Sequence, residues 1–276
     1  MSFPSNVATN YRTGRNANEF YSYGGVFVPT NTFVRIDTLP DSFFLCKKVH
    51  LLNYVNVSAT TSPGTAQLKI VDTKQGRSFQ SRRIALNTVG GNVHSPNVLP
   101  APILFSPLTT ILLDFAAVQT RVYVALEGEK VYDPDPAWVK KMQSRFWYQF
   151  AEVDEDSNTT EVVTLDLKDP NYDFAVFRLL SRNSLDAVLS NANPGFIQIR
   201  DKGPQGQAWS NVEVMTPGFC GAFGNGAGPR IVQPPMIIPG TSQIEMIKRS
   251  VPSSSYIDFV FDGVKFPRGT NLEDWL

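Results

Sequence analysis

The chain has 276 residues, with 25 Lys and Arg against 25 Asp and Glu, so its formal charge is zero with histidine neutral. That balance leaves no surplus of cations to neutralise phosphates, which argues against a direct nucleic-acid binder, and no apolar run approaches the roughly 20 residues of a membrane span. Two cysteines make no disulfide scaffold and fit synthesis in a reducing compartment, while 19 Gly and 20 Pro interrupt the chain too often for long helices and suit short strands joined by turns.

Residues 1–25 are polar and lack the apolar core of a signal peptide. Phe3, Tyr11, Phe20, Tyr21 and Tyr23 are too many large rings for a solvated tail, since disordered segments are poor in aromatics. An extended arm that orders on a neighbour is expected. From 26 to 132 the pattern is β: Thr32–Asp37, Val49–Val57, Gln67–Val71, Pro100–Phe105, Thr110–Phe115 and Arg121–Tyr132 read as strands bounded by Pro, Gly or polar clusters. Residues 133–159 read as a helix followed by an acidic linker. Asp135 supplies an N-cap acceptor, Pro136 needs no N–H at the first helical position, and Trp138, Met142 and Phe146 share a face over 137–150. From 160 to 267 β patterning returns at Glu161–Leu167, Phe174–Leu180, Phe196–Arg200, Trp209–Met215, Pro235–Ile238, Gln243–Ile247 and Tyr256–Phe266. Residues 268–276 leave the last strand and end in Leu272, Trp275 and Leu276, a short hook with apolar anchors of the kind that fill partner pockets.

The two β regions are copies of one unit. Residues 40–49 (PDSFFLCKKV) align with 170–179 (PNYDFAVFRL), and 75–79 (QGRSF) with 205–209 (QGQAW), both at a spacing of 130. Residues 96–113 align with 229–246 at 133, and VYVALEGEKVY at 122–132 with IDFVFDGVKFP at 257–267 at 135. Order, turn residues and apolar positions are kept, and the spacing grows only at loops. The fold class predicted is therefore all-β: two tandem, duplicated β-sandwich or jelly-roll-like domains joined by one short helix, with an extended N-terminal arm and a C-terminal hook. Phe44, Leu68, Phe79, Ile111, Val122 and Val124 are the expected core of the first unit, and Phe174, Ile197, Trp209, Ile244, Ile257 and Phe259 of the second.

Motifs for chemistry are weak. His50 and His94 lie in the first unit without repeat partners and, with Cys46 and Cys220, show no metal-ligand spacing. GxSxG and HExxH are absent. The glycine run at 221–228 is followed by Pro229 and a β segment, so it is no phosphate cradle. Asp154, Asp156 and Asn158 begin like a calcium loop, but Thr159 and Leu165 stand where Gly and Glu are needed. Glu127 and Asp262 occupy equivalent acidic-Gly-x-Lys positions, which favours a shared backbone turn over a catalytic pair. No enzyme activity, cofactor or metal is expected. A carbohydrate-binding module, resting on exposed Trp and Tyr, is the alternative, and a hydrolase with a hidden carboxylate pair is a third reading.

Tandem β-sandwiches, the aromatic arm, the hook, the low charge and strand endings such as RVYVALEGEKVY and YIDFVFDGVKFP together resemble virion structural proteins of tailed bacteriophages, of the capsid-decoration, collar or tail-accessory type. The resemblance implies assembly with other copies of the chain and with capsid, connector or tail proteins, a place in the virion after synthesis in the host cytoplasm, and no membrane. The partner-binding residues expected are Phe3, Tyr11, Phe20, Tyr21, Tyr23, Leu272, Trp275 and Leu276.

Overall fold

The structure is a computed structural model that describes residues 18–53, 67–91, 96–116, 121–154, 160–183, 196–202, 208–210, 212, 214–215, 229–249 and 257–271. The first unit contains β1 (Glu19–Phe27), β2 (Phe33–Asp37), β3 (Phe43–Asn53), β4 (Gln67–Asp72), β5 (Arg77–Ser78), β6 (Ile84–Ala85), helix α1 (Leu86–Gly90), β7 (Asn97–Phe105), β8 (Thr110–Ala116) and β9 (Val122–Val131). Helix α2 (Pro136–Ser144) leads to the second unit. That unit contains β10 (Phe146–Asp154), β11 (Thr160–Asp166), β12 (Tyr172–Asn183), β13 (Phe196–Asp201), β14 (Val214–Met215), β15 (Arg230–Ile238), β16 (Gln243–Arg249) and β17 (Ile257–Pro267).

The sheet orders establish the duplication in three dimensions. The first unit pairs β1-β9-β3-β7 in one sheet and β2-β8-β4-β5 in the other, with β6 added to β4. The second repeats the pattern as β10-β17-β12-β15 and β11-β16-β13-β14. All these pairings are antiparallel and most join strands distant in sequence, which is the double-Greek-key order of a jelly roll. Strands such as β4 and β8 alternate buried and half-buried residues, because successive side chains on a pleated strand point to opposite faces.

Matched irregularities extend the symmetry. β3 bulges at Lys47, between Cys46 and Lys48, and β12 bulges at Phe177, between Val176 and Arg178. Opposite the bulges lie Gly128 and Gly263. A Cβ on Gly128 would fall 2.0 Å from the Leu45 carbonyl oxygen, and one on Gly263 1.9 Å from that of Ala175. Glu127 and Asp262, expected in turns, are thus in mid-strand beside a bulge. The acidic-Gly spacing records close backbone approach, not a chain reversal.

The helix is shorter than its sequence suggests. Asp135 caps it, accepting the Ala137 N–H at 2.6 Å, and Pro136 stands at its start, but Arg145 is already extended. Residues 146–154, expected as the end of the helix and the start of an acidic linker, form β10. The reason is two-sided burial: Phe146, Tyr148 and Phe150 on one face and Trp147, Gln149 and Ala151 on the other are all buried, and a surface helix buries only one stripe. The second jelly roll therefore begins at Phe146, not at 160, and the first begins at Glu19, inside the stretch expected as an arm.

One contiguous core runs through both jelly rolls. It includes all six residues expected in the first unit, together with Phe174, Ile197, Ile244 and Phe259 of the second. Trp209 is partly buried against it, and the side chain of Ile257 lies outside the described part. Each such side chain contributes about 1.5–3 kcal/mol on burial. A smaller cluster seats α2: Met142, with Trp138 and Val139 beside it, covers Leu45, Leu104 and Val131 at one end of the first jelly roll's outer face.

Candidate interaction surface

In each jelly roll the four-stranded sheet led by β1 or β10 has an inner face toward the core and an outer face. The pairing registers place Phe20, Ser22 and Gly24 of β1 opposite Glu129, Glu127 and Ala125 of β9, and Trp147, Gln149 and Ala151 of β10 opposite Val264, Asp262 and Val260 of β17. Position for position, Phe20 corresponds to Trp147, Ser22 to Gln149, Glu127 to Asp262, Lys48 to Arg178 and His50 to Leu180.

The two outer faces differ along their first three strands. That of the second jelly roll is closed over β10, β17 and the centre of β12, where Trp147, Gln149, Leu180 and Asp262 are each 0% exposed, and opens at the β15 edge. The cover is the first jelly roll, whose β7 lies against β10 and β17 and whose α1 lies against β12. Backbone bonds stitch the edge of β10 to the segment after β5, with the Gln149 N–H donating to the Phe79 carbonyl at 2.9 Å and the Ser81 N–H to the Gln149 carbonyl at 3.0 Å. The Gln149 amide donates to the Thr88 carbonyl at 2.7 Å.

At the centre of this contact the Arg178 guanidinium pairs with the Asp262 carboxylate and donates across the boundary to the Val98 carbonyl and the Asn97 side-chain oxygen, each at 2.9 Å. The Trp147 indole N–H donates to the same carboxylate at 2.5 Å. Burial pushes the Asp262 carboxyl above its ordinary value, while Arg178, Trp147 and Gln149 pull it back.

The outer face of the first jelly roll carries the same pair in the open. Lys48 donates to Glu127 at 2.6 Å, and His50 Nε2 lies 2.7 Å from the other carboxylate oxygen. The Lys48 hydrogen bond, helped by His50, holds Glu127 below the usual carboxylate range against a smaller effect of burial. Beyond the area covered by α2, Phe20 is 71% exposed and Val26 44%, whereas the β7 edge at Val98 is exposed as its β15 counterpart is. A shallow groove of about 400 Å³ runs over Gly24, Val26, His50, Tyr123 and Glu127.

Of the residues expected to bind partners, Phe20 alone among those described stands on this open face. Tyr21 and Tyr23 belong to the inner face of β1. Tyr23 is buried against Phe44, with ring centroids 4.8 Å apart, and its hydroxyl accepts the Leu39 N–H at 2.8 Å. Alternation along β1 sends neighbouring residues to opposite sides, so an aromatic count could not separate the core rings from the surface ring. Phe3, Tyr11, Leu272, Trp275 and Leu276 lie outside the described residues, as do His94, Cys220 and the glycine run at 221–228. Cys46 is fully buried, and burial pushes its thiol up to about 12. No group of three or more His, Cys, Asp or Glu able to hold a metal occurs among the described residues.

Trp147 and Arg178 carry the asymmetry between the faces, and sequence reasoning did not single them out. A usable signal was present: Phe20-Tyr21-Ser22-Tyr23 aligns with Trp147-Tyr148-Gln149-Phe150 at a spacing of 127. The helix reading of 137–150 concealed it.

No protein-family model matches the chain, and no curated protein does. Among solved structures, the major capsid protein of Sulfolobus turreted icosahedral virus is similar with a TM-score of 0.44 and 8% identity, covering 89% of this chain and 96% of that one. The major capsid protein P2 of bacteriophage PM2 is similar with a TM-score of 0.43 and 11% identity, covering 91% of this chain and 99% of that one. The jelly-roll assignment rests on this chain's own strand order.

Proposed function

We propose that this chain is a non-enzymatic virion structural protein that assembles with copies of itself, its paired jelly rolls acting as a rigid building block. One observation carries the reading: the contact that joins the two jelly rolls uses the outer face of the second, and the equivalent face of the first is left open with Phe20 71% exposed where Trp147 is 0% exposed. Duplicated units that pack through one kind of contact, with half of that contact unused, suit a protein that continues the packing with further copies. Residues 1–17 and 272–276, with Phe3, Tyr11, Leu272, Trp275 and Leu276, supply additional cross-links in this reading. The finer assignment, to a decoration, collar or tail-accessory protein of a tailed phage contacting capsid, connector or tail proteins, rests on the sequence resemblance alone.

A glycan-binding module would display a Trp or Tyr platform. Among the described tryptophans, Trp147 is buried, while Trp138 and Trp209 pack against the two apolar clusters. Electron microscopy of the purified full chain over a range of concentrations and salts tests the structural role. Regular multi-copy assemblies support it. A chain that stays monomeric throughout, and that does not join particles when added during their assembly, overturns it.

A further inference from the structure

From the internal repeat we infer the surface that a second copy brings to the open face: its β15 edge, with Arg230 directed at Glu127. The inference rests on the self-assembly reading above and deepens it by naming both sides of the contact.

Within one chain, the outer face of β10, β17 and β12 is covered by β7 and α1 of the first jelly roll. The counterpart of that outer face is formed by β1, β9 and β3, and it is open at Phe20 and Val26. The counterpart of β7 is β15, since Val98 pairs with Lys48 in the first unit as Ile231 pairs with Arg178 in the second. β15 is also open: Ile231 is 65% exposed, Ile237 43%, and Arg230 is exposed. Among the described residues each chain thus keeps open a counterpart of the covered face, on β1, β9 and β3, and a counterpart of the covering strand, β15.

The chemistry of β15 fits a docking edge. Pro234 and Pro235 interrupt it, as Pro100 and Pro102 interrupt β7. A strand without those N–H groups is poor at extending a sheet by pairing. It still presents carbonyls and side chains, and β7 uses them in this way when the Val98 carbonyl and the Asn97 side chain accept from Arg178. In the equivalent contact between copies, Lys48 replaces Arg178, the Ile231 carbonyl replaces that of Val98, and Arg230 replaces Asn97. Asn97 meets Arg178 where that cation pairs with Asp262, so Arg230 in its place falls against the Lys48–Glu127 pair, and the Glu127 carboxylate is the partner of opposite charge there. The apolar part matches as well, with Phe20 in the place of Trp147. The contact is heterologous: the first jelly roll of one copy meets the second of the next.

Sedimentation velocity on the full chain, compared with variants, tests this. Phe20→Ser removes an exposed ring and weakens self-association about tenfold or more, as loss of an aromatic anchor does. Glu127→Arg and Arg230→Glu each weaken it by a similar factor, and the double reversal Glu127→Arg/Arg230→Glu restores it to within a few-fold. Thermal unfolding of each variant verifies that the monomer still folds, and Phe20→Ser stands as evidence if a charge variant does not. Self-association that is indifferent to Phe20→Ser and to both reversals overturns the inference while leaving the structural role intact. Loss with Phe20→Ser but indifference to Arg230→Glu shows two open faces meeting each other, and overturns it too. If the full chain stays monomeric while one lacking residues 1–17 associates through Phe20, the chain's own N-terminal segment occupies the face, and the inference falls. A chain that never associates, with or without those residues, removes the self-assembly reading itself.

Discussion

Asp262 accepts the indole N–H of Trp147 at 2.5 Å, and this bond has no counterpart in the first jelly roll, where Glu127 and Phe20 hold the same two positions. The duplication preserved the acidic residue beside the bulge glycine, its basic partner across the strand, and a ring two residues before the next position on the edge strand. Burial then separated the two copies. Around Asp262 the set became a dry network spanning the boundary between jelly rolls, while around Glu127 it stayed at the surface.

That separation predicts unequal costs for the same substitution. Asp262→Ala leaves the Arg178 guanidinium buried without its carboxylate, and breaking a buried pair by removing one partner costs about 3–5 kcal/mol. Glu127→Ala removes a half-exposed pair, worth about 0–1 kcal/mol. Urea unfolding of the two variants beside the parent chain measures both, and equal losses would show that Asp262 is not sealed as described.

The ring positions differ in the same way. Trp147→Ala empties a fully buried site in the contact between the jelly rolls and costs about 3–5 kcal/mol. Phe20→Ala alters an exposed side chain and changes monomer stability by no more than about 0.5 kcal/mol. Thermal melts at a concentration too low for association read the difference.

The bulge glycines make a symmetric prediction. Gly128→Ala and Gly263→Ala each force a Cβ to about 2 Å from a carbonyl oxygen of the neighbouring strand. Backbone cannot move aside as a flexible side chain does, so each variant is destabilised by about 1–3 kcal/mol or more. A neutral result at either position would mean that the strand pairing there differs from the bulged register.

Much of this organisation was legible in the sequence. Alternating apolar positions and four ordered matches identified two β units, and Phe44, Phe79, Val124 and Phe174 lie in the core as that pattern requires. The boundary between units was not legible, because Asp135 and Pro136 start a true helix and the apolar spacing of Trp138, Met142 and Phe146 continues past its end. Only tertiary burial of both faces of 146–151 makes that run a strand. The open face was legible only in part. Phe20, Tyr21 and Tyr23 look alike in composition, and their separation into surface and core depends on which face of β1 meets the second sheet. The covered face was hidden, since Arg178 bonds to Asn97 and Val98 about 80 residues away, and no local pattern encodes that contact.

Acid sensitivity follows from Glu127. Its folded carboxyl is held below the ordinary value, chiefly by the Lys48 hydrogen bond and further by His50. A depressed carboxylate contributes stability that is fully present above its unfolded value, near 4.3, and that disappears as pH falls through the lower folded value. Glu127→Gln should therefore differ from the parent chain at neutral pH by less than about 1 kcal/mol. The difference should shrink below the ordinary carboxylate range and vanish once the folded group is protonated. Denaturant midpoints for the two chains, taken in steps from neutral pH into acid, trace this convergence. A gap that stays constant into strong acid would mean that Glu127 is not stabilised as a carboxylate, and that its pairing with Lys48 is not what holds the open face in order.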